Sequence, residues 1–173
     1  AGDMAAIAKA EGYSKSTILL TKKATRKSFI SEMNKLVRIL KSGDILFLTY
    51  SGHGGQLPDL SEDEDDGQDE TWCLYDGELV DDELYALYSK FKSGVRVFVL
   101  SDSCHSGTVT RAMYYRSQPA SLKTSVAKRF MPPEVALRTY RANKPFYDKI
   151  LKNPRQKITI NEMIKASIRL ISG

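Results

Sequence analysis

The sequence predicts an α/β fold in which a mostly parallel sheet carries helices on both faces. Two continuous apolar runs, residues 44–49 and 95–100, are typical of buried parallel strands. Segments with helical spacing alternate with the strands, as in a doubly wound sheet. Each apolar run is followed by a polar, glycine-containing segment, at residues 50–55 and 101–107. Functional residues of such sheets collect beyond the carboxyl ends of the strands, so these two segments are the candidate site.

The first half of the chain supplies two helices before the first apolar run. Residues 3–12 predict a short amphipathic helix that ends at Gly12, and residues 17–21 predict a strand. Thr25 or Ser28 is expected to cap a second helix that runs to about Lys41. The inward positions of these two helices are predicted to be Met4, Ile7, Ala8, Phe29, Met33, Leu36, Val37 and Leu40.

The second half of the chain continues the alternation. Residues 70–75 predict a short strand, and residues 81–92 predict a helix that ends at Ser93 and Gly94. Residues 108–132 show no clean period and predict a long, mobile loop. Residues 134–151 predict a helix with a break at Pro145, and residues 166–171 predict a strand. The inward positions of the helix at 81–92 are predicted to be Leu84, Leu87, Tyr88 and Phe91.

The length of 173 residues predicts a single domain over residues 1–173. We divide it into a core at residues 1–107, the loop at 108–132, and a helix and strand at 133–173. The chain opens in a helix and stops just after a strand. We therefore expect a first strand and a C-terminal region to be missing from it.

Composition excludes several classes of protein. No apolar run approaches the ~20 residues that span a bilayer, so no membrane association is expected. The two cysteines, Cys73 and Cys104, make no disulfide framework, which favours a reducing, cytoplasmic location. Residues 108–173 hold fourteen Lys and Arg against three Asp and Glu. No aromatic platform or zinc spacing accompanies this charge, so a solvated surface is favoured over nucleic-acid binding.

A cysteine nucleophile with an imidazole partner is the chemistry that the two polar segments favour. Cys104 stands four residues beyond the second apolar run, and His53 stands between glycines after the first. Their sheet-edge positions fit an activated thiol and its base. Backbone N–H groups of Gly54 and Cys104 are candidates for an oxyanion hole. The alternatives are a structural histidine and a buried, inert cysteine, and Cys73 fits the latter because Trp72 and Leu74 flank it.

Carboxylates supply the remaining candidates. Asp102 precedes Cys104 by two residues and would select a cationic group on a substrate, unless local N–H groups satisfy it. Residues 61–70 hold seven acidic side chains, but their spacing does not match an EF-hand. Asp81 and Asp82 open a helix and fit an N-terminal cap. A solvated acidic loop is therefore favoured over a calcium site on composition alone.

Four segments together resemble one family. They are the Tyr-Ser-Gly-His-Gly segment at 50–54, the Asp-Gly-Gln-Asp-Glu loop at 66–70, the Asp-Asp-Glu-Leu segment at 81–84 and the Asp-Ser-Cys-His-Ser-Gly segment at 102–107. In this order they are similar to the metacaspases, and in particular to bacterial, metacaspase-like members of the caspase superfamily. The resemblance implies a caspase-like three-layer α/β/α sandwich.

The resemblance also implies roles for individual residues. His53 and Cys104 would form the catalytic dyad, and Asp102 and Ser51 would line the pocket for a basic residue before the cleaved bond. Asp69, Asp81 and Asp82 match three of the four aspartates that bind activating calcium in some members. The fourth position holds Arg111, whose guanidinium would repel Ca²⁺ and could replace it by a salt bridge.

The sequence thus predicts a cysteine endopeptidase that cleaves protein or peptide substrates after Arg or Lys. No cofactor is expected for the chemistry, and Arg111 argues against calcium dependence. The alternatives are a catalytically silent interaction module and a calcium-binding regulatory domain. The sequence predicts no oligomeric state. Candidate self-cleavage points in the loop are Arg111, Arg116, Lys123, Lys128 and Arg129.

Overall fold

The computed structural model describes residues 1–58, 68–103, 131–152 and 164–172. It is a mixed α/β structure with a parallel sheet, as the alternating pattern predicts, and a second, antiparallel sheet that the pattern does not predict. Its strands are β1 (Ile45–Ser51), β2 (Gly54–Pro58), β3 (Gln68–Leu74), β4 (Gly77–Val80), β5 (Arg96–Asp102) and β6 (Ser167–Ser172). Its α-helices are α1 (Gly2–Ala10), α2 (Arg26–Ile39), α3 (Asp81–Tyr88), α4 (Pro133–Ala142) and α5 (Lys144–Leu151).

The parallel sheet contains both predicted apolar runs and has the strand order β1-β5-β6. The register places Ile45 opposite Arg96 and Ser51 opposite Asp102, so β1 and β5 end at the same level. Val97 and Val99 on one face of β5, and Val95 just before the strand, are at most 1% exposed. On the other face Phe47 stacks on Phe98 with ring centroids 5.5 Å apart.

The second sheet is antiparallel, with the order β2-β3-β4. Gly54 lies opposite Trp72, and Cys73 lies opposite Glu78 across the β3–β4 hairpin. Only β3 was predicted as a strand. The short strands β2 and β4 contain glycines and lack a long apolar run, and pairing with β3 rather than their own propensity holds them extended.

Two hydrophobic clusters bury these sheets. The larger one joins α2 and α3 to the parallel sheet and includes all four predicted inward residues of residues 81–92. The smaller one packs α4 and α5 against the antiparallel sheet. Its buried members are Leu57, Val80, Tyr140, Tyr147 and Leu151.

A partly buried ion pair ties these layers together. Arg26, 8% exposed, donates to Glu83 at 2.6 and 2.8 Å and also to the carbonyl of Glu78. Its guanidinium lies 5.3 Å from the ring centre of Phe146. Glu83 in turn accepts from the N–H of Val80 at the start of α3. The pair therefore links α2, the hairpin, α3 and α5 at one point.

Most predicted helices are confirmed, with small differences at their ends. The Thr25 side chain caps α2 by accepting from the N–H of Ser28 at 3.0 Å. The break predicted at Pro145 falls at Asn143, and Pro145 lies in the first turn of the next helix, where its missing N–H costs nothing. No described helix is long and apolar enough to cross a membrane.

Two predictions are wrong. Residues 17–21 form no strand, because they do not pair with a sheet, and a 3₁₀ turn follows at Thr21–Lys23. Ile7, predicted to face inward, is 50% exposed, while Ala8 beside it is buried. The predicted loop at 108–132, apart from its last two residues, lies outside the described residues, together with its five candidate cleavage points.

Candidate active site

The carboxyl ends of β1 and β5 bring two predicted pocket residues together. Ser51 and Asp102 are register partners in the parallel sheet, and both are exposed. The Ser51 hydroxyl donates to Oδ2 of Asp102 at 3.3 Å. A carboxylate at this edge is therefore fixed by a neighbouring strand and faces the region where a substrate would approach an α/β sheet.

His53 follows the same strand end by two residues and is exposed. Its position is set by the main chain, because its carbonyl accepts a hydrogen bond from the N–H of Cys73 at 2.9 Å. This bond extends the β2–β3 ladder by one pair beyond Gly54 and Trp72. His53 thus lies between β1 of the parallel sheet and β2 of the antiparallel sheet.

Gly54, a predicted oxyanion-hole donor, turns its main-chain N–H and C=O away from β3. Hydrogen-bonded pairs alternate along an antiparallel ladder, and the bond between residues 53 and 73 places Gly54 in a pair that exchanges none with β3. Its N–H and C=O therefore point toward the outer edge of β2. The C=O accepts from the N–H of Met131 at 2.8 Å on that side.

Cys104 lies outside the described residues, which reach Ser103 on this segment. Ser103 is 2% exposed and its hydroxyl lies 2.8 Å from that of Ser101, which is 1% exposed. The chain leading to Cys104 is therefore anchored in the interior up to the residue before it.

Cys73 is the other thiol of the chain and is half-buried. Desolvation, followed by the negative charge of Glu78, raises its pKa to about 12. A thiol with that pKa is protonated at neutral pH and is a poor nucleophile. The interpretation of Cys73 as a packing residue agrees with this environment.

The three aspartates of the calcium hypothesis lie at the far end of the hairpin from His53. Asp69, 2% exposed, lies opposite Leu57 on β2, and Asp81 and Asp82 begin α3. Oδ1 of Asp81 accepts from the N–H of Asp82 at 2.9 Å, as in a helix cap. Within the described ranges, no three acidic, histidine or cysteine side chains are arranged to hold a metal ion.

Sequence reasoning missed the support beneath His53. Tyr50 stacks on Trp72, with ring centroids 4.4 Å apart and planes 9° apart, and its hydroxyl reaches the main chain of His53. Thr71 and Glu78 form a buried hydrogen bond of 2.7 Å behind Gly55. The available signal was an aromatic at the end of β1 facing a tryptophan on β3, but it required knowing that β2 and β3 pair.

Comparison with protein families gives a specific match. A family model described as the metacaspase, peptidase C14 domain matches residues 3–113. This span includes all four motif segments that carry the resemblance.

Curated relatives agree over the same part of the chain. Metacaspase-1A of Aspergillus oryzae is 42% identical over 104 residues, covering 57% of this chain and 25% of that protein. Metacaspase-1 of Saccharomyces cerevisiae S288c is 42% identical over 109 residues, covering 60% of this chain and 25% of that protein. The matched segments thus span about a quarter of these relatives.

A solved structure matches almost the whole chain. The crystal structure of a protein from Geobacter sulfurreducens superposes with a TM-score of 0.79 at 52% sequence identity. The match covers 99% of this chain and 61% of that protein. The fold, the motif order and the family match agree, and the chain belongs to the metacaspase family of peptidases.

Proposed function

We propose that this protein is a cysteine endopeptidase that hydrolyses peptide bonds after Arg or Lys, with His53 as base and Cys104 as nucleophile. The observation that carries the proposal is the pairing of Ser51 with Asp102 at 3.3 Å. It brings together the two strand ends from which the histidine and cysteine segments depart. Membership of a peptidase family supports the same chemistry.

The reaction follows the general course of thiol acyl transfer. His53 takes the proton of the Cys104 thiol, and the thiolate attacks the substrate carbonyl carbon. The N–H groups of Gly54 and Cys104 stabilise the oxyanion. His53 then gives its proton to the leaving amine, and a thioester remains. Water, deprotonated by His53, hydrolyses the thioester and regenerates the thiol.

Asp102 provides the proposed selectivity. Its carboxylate is exposed at the mouth of the site, where it can pair with the guanidinium or ammonium group of the residue before the cleaved bond. An acidic residue in the same position would be repelled. We therefore propose cleavage after basic residues.

Three fluorogenic peptides that differ only in a terminal Arg, Lys or Asp test this proposal. We expect turnover of the Arg and Lys peptides alone. Asp102→Asn should lower kcat/KM for both by roughly 30-fold or more, because the substrate cation loses its charged partner. Asp44→Asn is the matched control, since it removes an exposed aspartate just before β1, at the opposite end of the strand.

Two results would contradict the proposal. Turnover of the Asp peptide alone would remove Asp102 from the pocket. Equally low hydrolysis of the peptides by the wild type and by Cys104→Ala would favour the catalytically silent alternative. The same assay with Ca²⁺ or a chelator tests metal control: with Arg111 at the fourth position we expect turnover in chelator, and a strict requirement for Ca²⁺ would restore the three aspartates as ligands.

A further inference from the structure

The main chain of His53 is held from two sides. Its carbonyl oxygen accepts from the N–H of Cys73 at 2.9 Å and from the hydroxyl of Tyr50 at 2.8 Å. The Tyr50 hydroxyl also lies 3.0 Å from the carbonyl of Cys73. A phenol has one proton, so the two carbonyls share it. Tyr50 thus joins the residue before β2 to the neighbouring strand.

Tyr50 is itself fixed in place. Its ring stacks on Trp72, which is 3% exposed and makes an edge contact with Phe29 at 5.9 Å. Burial is the main cause that raises the pKa of Tyr50 above its ordinary value, so the phenol keeps its proton across the working range of pH. The hydroxyl is therefore a permanent donor at a fixed position.

Gly52 makes room for this contact. A Cβ added there would lie 2.5 Å from the Tyr50 hydroxyl oxygen and 2.8 Å from the ring carbon that carries it. Any side chain at residue 52 would push the phenol away from His53. Within the segment 50–53, the Tyr50 side chain therefore holds the main chain of His53 by a hydrogen bond that passes over Gly52.

We propose that Tyr50 is a positioning residue that orients His53 toward the nucleophile, an inference that rests on the proposed function. An imidazole can act as base only within hydrogen-bond reach of the thiol, and small displacements of a reacting group cost much of the rate. Within the described residues, the phenol hydroxyl donates to the main-chain carbonyls of His53 and Cys73. It sets the place of the histidine without entering the reaction.

Tyr50→Phe tests this, because it keeps the stacked ring and removes only the hydroxyl. We expect kcat for the Arg peptide to fall roughly 10-fold with KM within about twofold. The pH profile of Cys104 alkylation by iodoacetamide should move to higher pH, because a displaced imidazolium stabilises the thiolate less. Gly52→Ala should show the same split between kcat and KM.

Tyr147→Phe is the matched control. Tyr147 is 2% exposed, and its hydroxyl accepts from the N–H of Glu78 at 3.1 Å on the opposite face of the antiparallel sheet. It should lower thermal stability and leave both kcat and the alkylation profile unchanged.

The outcomes separate this inference from the proposed function. Wild-type kcat and an unshifted alkylation profile in Tyr50→Phe would overturn the inference alone, as would a loss of activity that only follows a loss of folded protein. Absence of Cys104-dependent turnover in the wild type would overturn the proposed function, and the inference with it.

Discussion

The two sheets both carry polar side chains near His53, but they differ in exposure. At the end of the parallel sheet, Ser51, His53 and Asp102 are exposed. In the antiparallel sheet, Thr71 and Glu78 are 1% and 2% exposed. The exposed residues can contact a substrate. The buried residues Thr71 and Glu78 cannot, and they support the main chain next to His53.

Burial also shifts the pKa values of two ionisable side chains in the antiparallel sheet. Desolvation raises the pKa of both Cys73 and Glu78, with the Thr71 hydroxyl opposing the shift in each case. Burial of this kind disfavours the ionised form of each group, and both side chains support the sheet by packing and hydrogen bonding. The comparison therefore predicts opposite outcomes for chemically similar substitutions in the two sheets.

The two cysteines give the largest expected contrast. Cys104→Ala should lower kcat/KM for the Arg peptide by roughly 10³-fold or more, because the nucleophile is removed. Cys73→Ala should keep activity within a few-fold, since a thiol with a pKa of about 12 takes no part in the reaction. Peptidase assays and mass spectrometry after iodoacetamide treatment at pH 7 measure both effects.

The labelling result decides the assignment of the nucleophile. Folded wild type should carry the label on Cys104, and denatured protein should carry it on both cysteines. Preferential labelling of Cys73 in the folded protein would reverse the roles of the two sites.

Gly55→Ala tests the contact between strand β2 and the buried pair Thr71 and Glu78. The new Cβ would lie 2.8 Å from Oε2 of Glu78 and 2.9 Å from Oγ1 of Thr71, which are bonded to each other and enclosed. Overpacking of this kind costs about 1–3 kcal/mol of unfolding free energy. Denaturant titration measures it.

Gly2→Ala is the control for that substitution. Nothing lies within 4 Å of the new Cβ at the start of α1, so stability should not fall. An equal loss of unfolding free energy in the two variants would show that Thr71 and Glu78 leave room for a Cβ at residue 55.

The parallel sheet could be predicted from the sequence because its strands satisfy their own pattern. Val95, Val97 and Val99 are apolar and buried, and parallel strands read as continuous apolar runs. The carboxyl ends of the parallel strands share one sheet edge, so the placement of Ser51 beside Asp102 follows from the topology.

The antiparallel sheet could not be predicted in the same way. Gly54 and Gly55 carry no side chain to signal a strand, and Glu78 is a charged residue that local pattern assigns to the surface. Residues 17–21 show the reverse error, since β-branched residues there satisfy strand propensity but find no partner strand. Both errors have the same cause: pairing with a strand distant in the sequence decides whether a segment is a strand, and local pattern does not show that pairing.

Glu78 gives the smallest expected effect, and pH reveals it. Burial raises the pKa of Glu78 in the folded state above its ordinary value of 4.5. As pH rises above 4.5, the unfolded chain releases this proton while the folded chain retains it, so wild-type stability falls until the folded pKa is passed. Glu78→Gln cannot ionise, so it should lose less unfolding free energy than the wild type between pH 4 and pH 7.

The decisive quantity is the change with pH of the stability difference between the two proteins. Its value at any single pH also contains the altered hydrogen bond to Thr71, which the amide changes at every pH. Glu134→Gln, which makes the same change at an exposed residue of α4, is the matched control. Parallel stability curves for the wild type and Glu78→Gln would mean that Glu78 reaches solvent in the folded protein. The two sheets would then not differ in the exposure of their polar side chains at this residue.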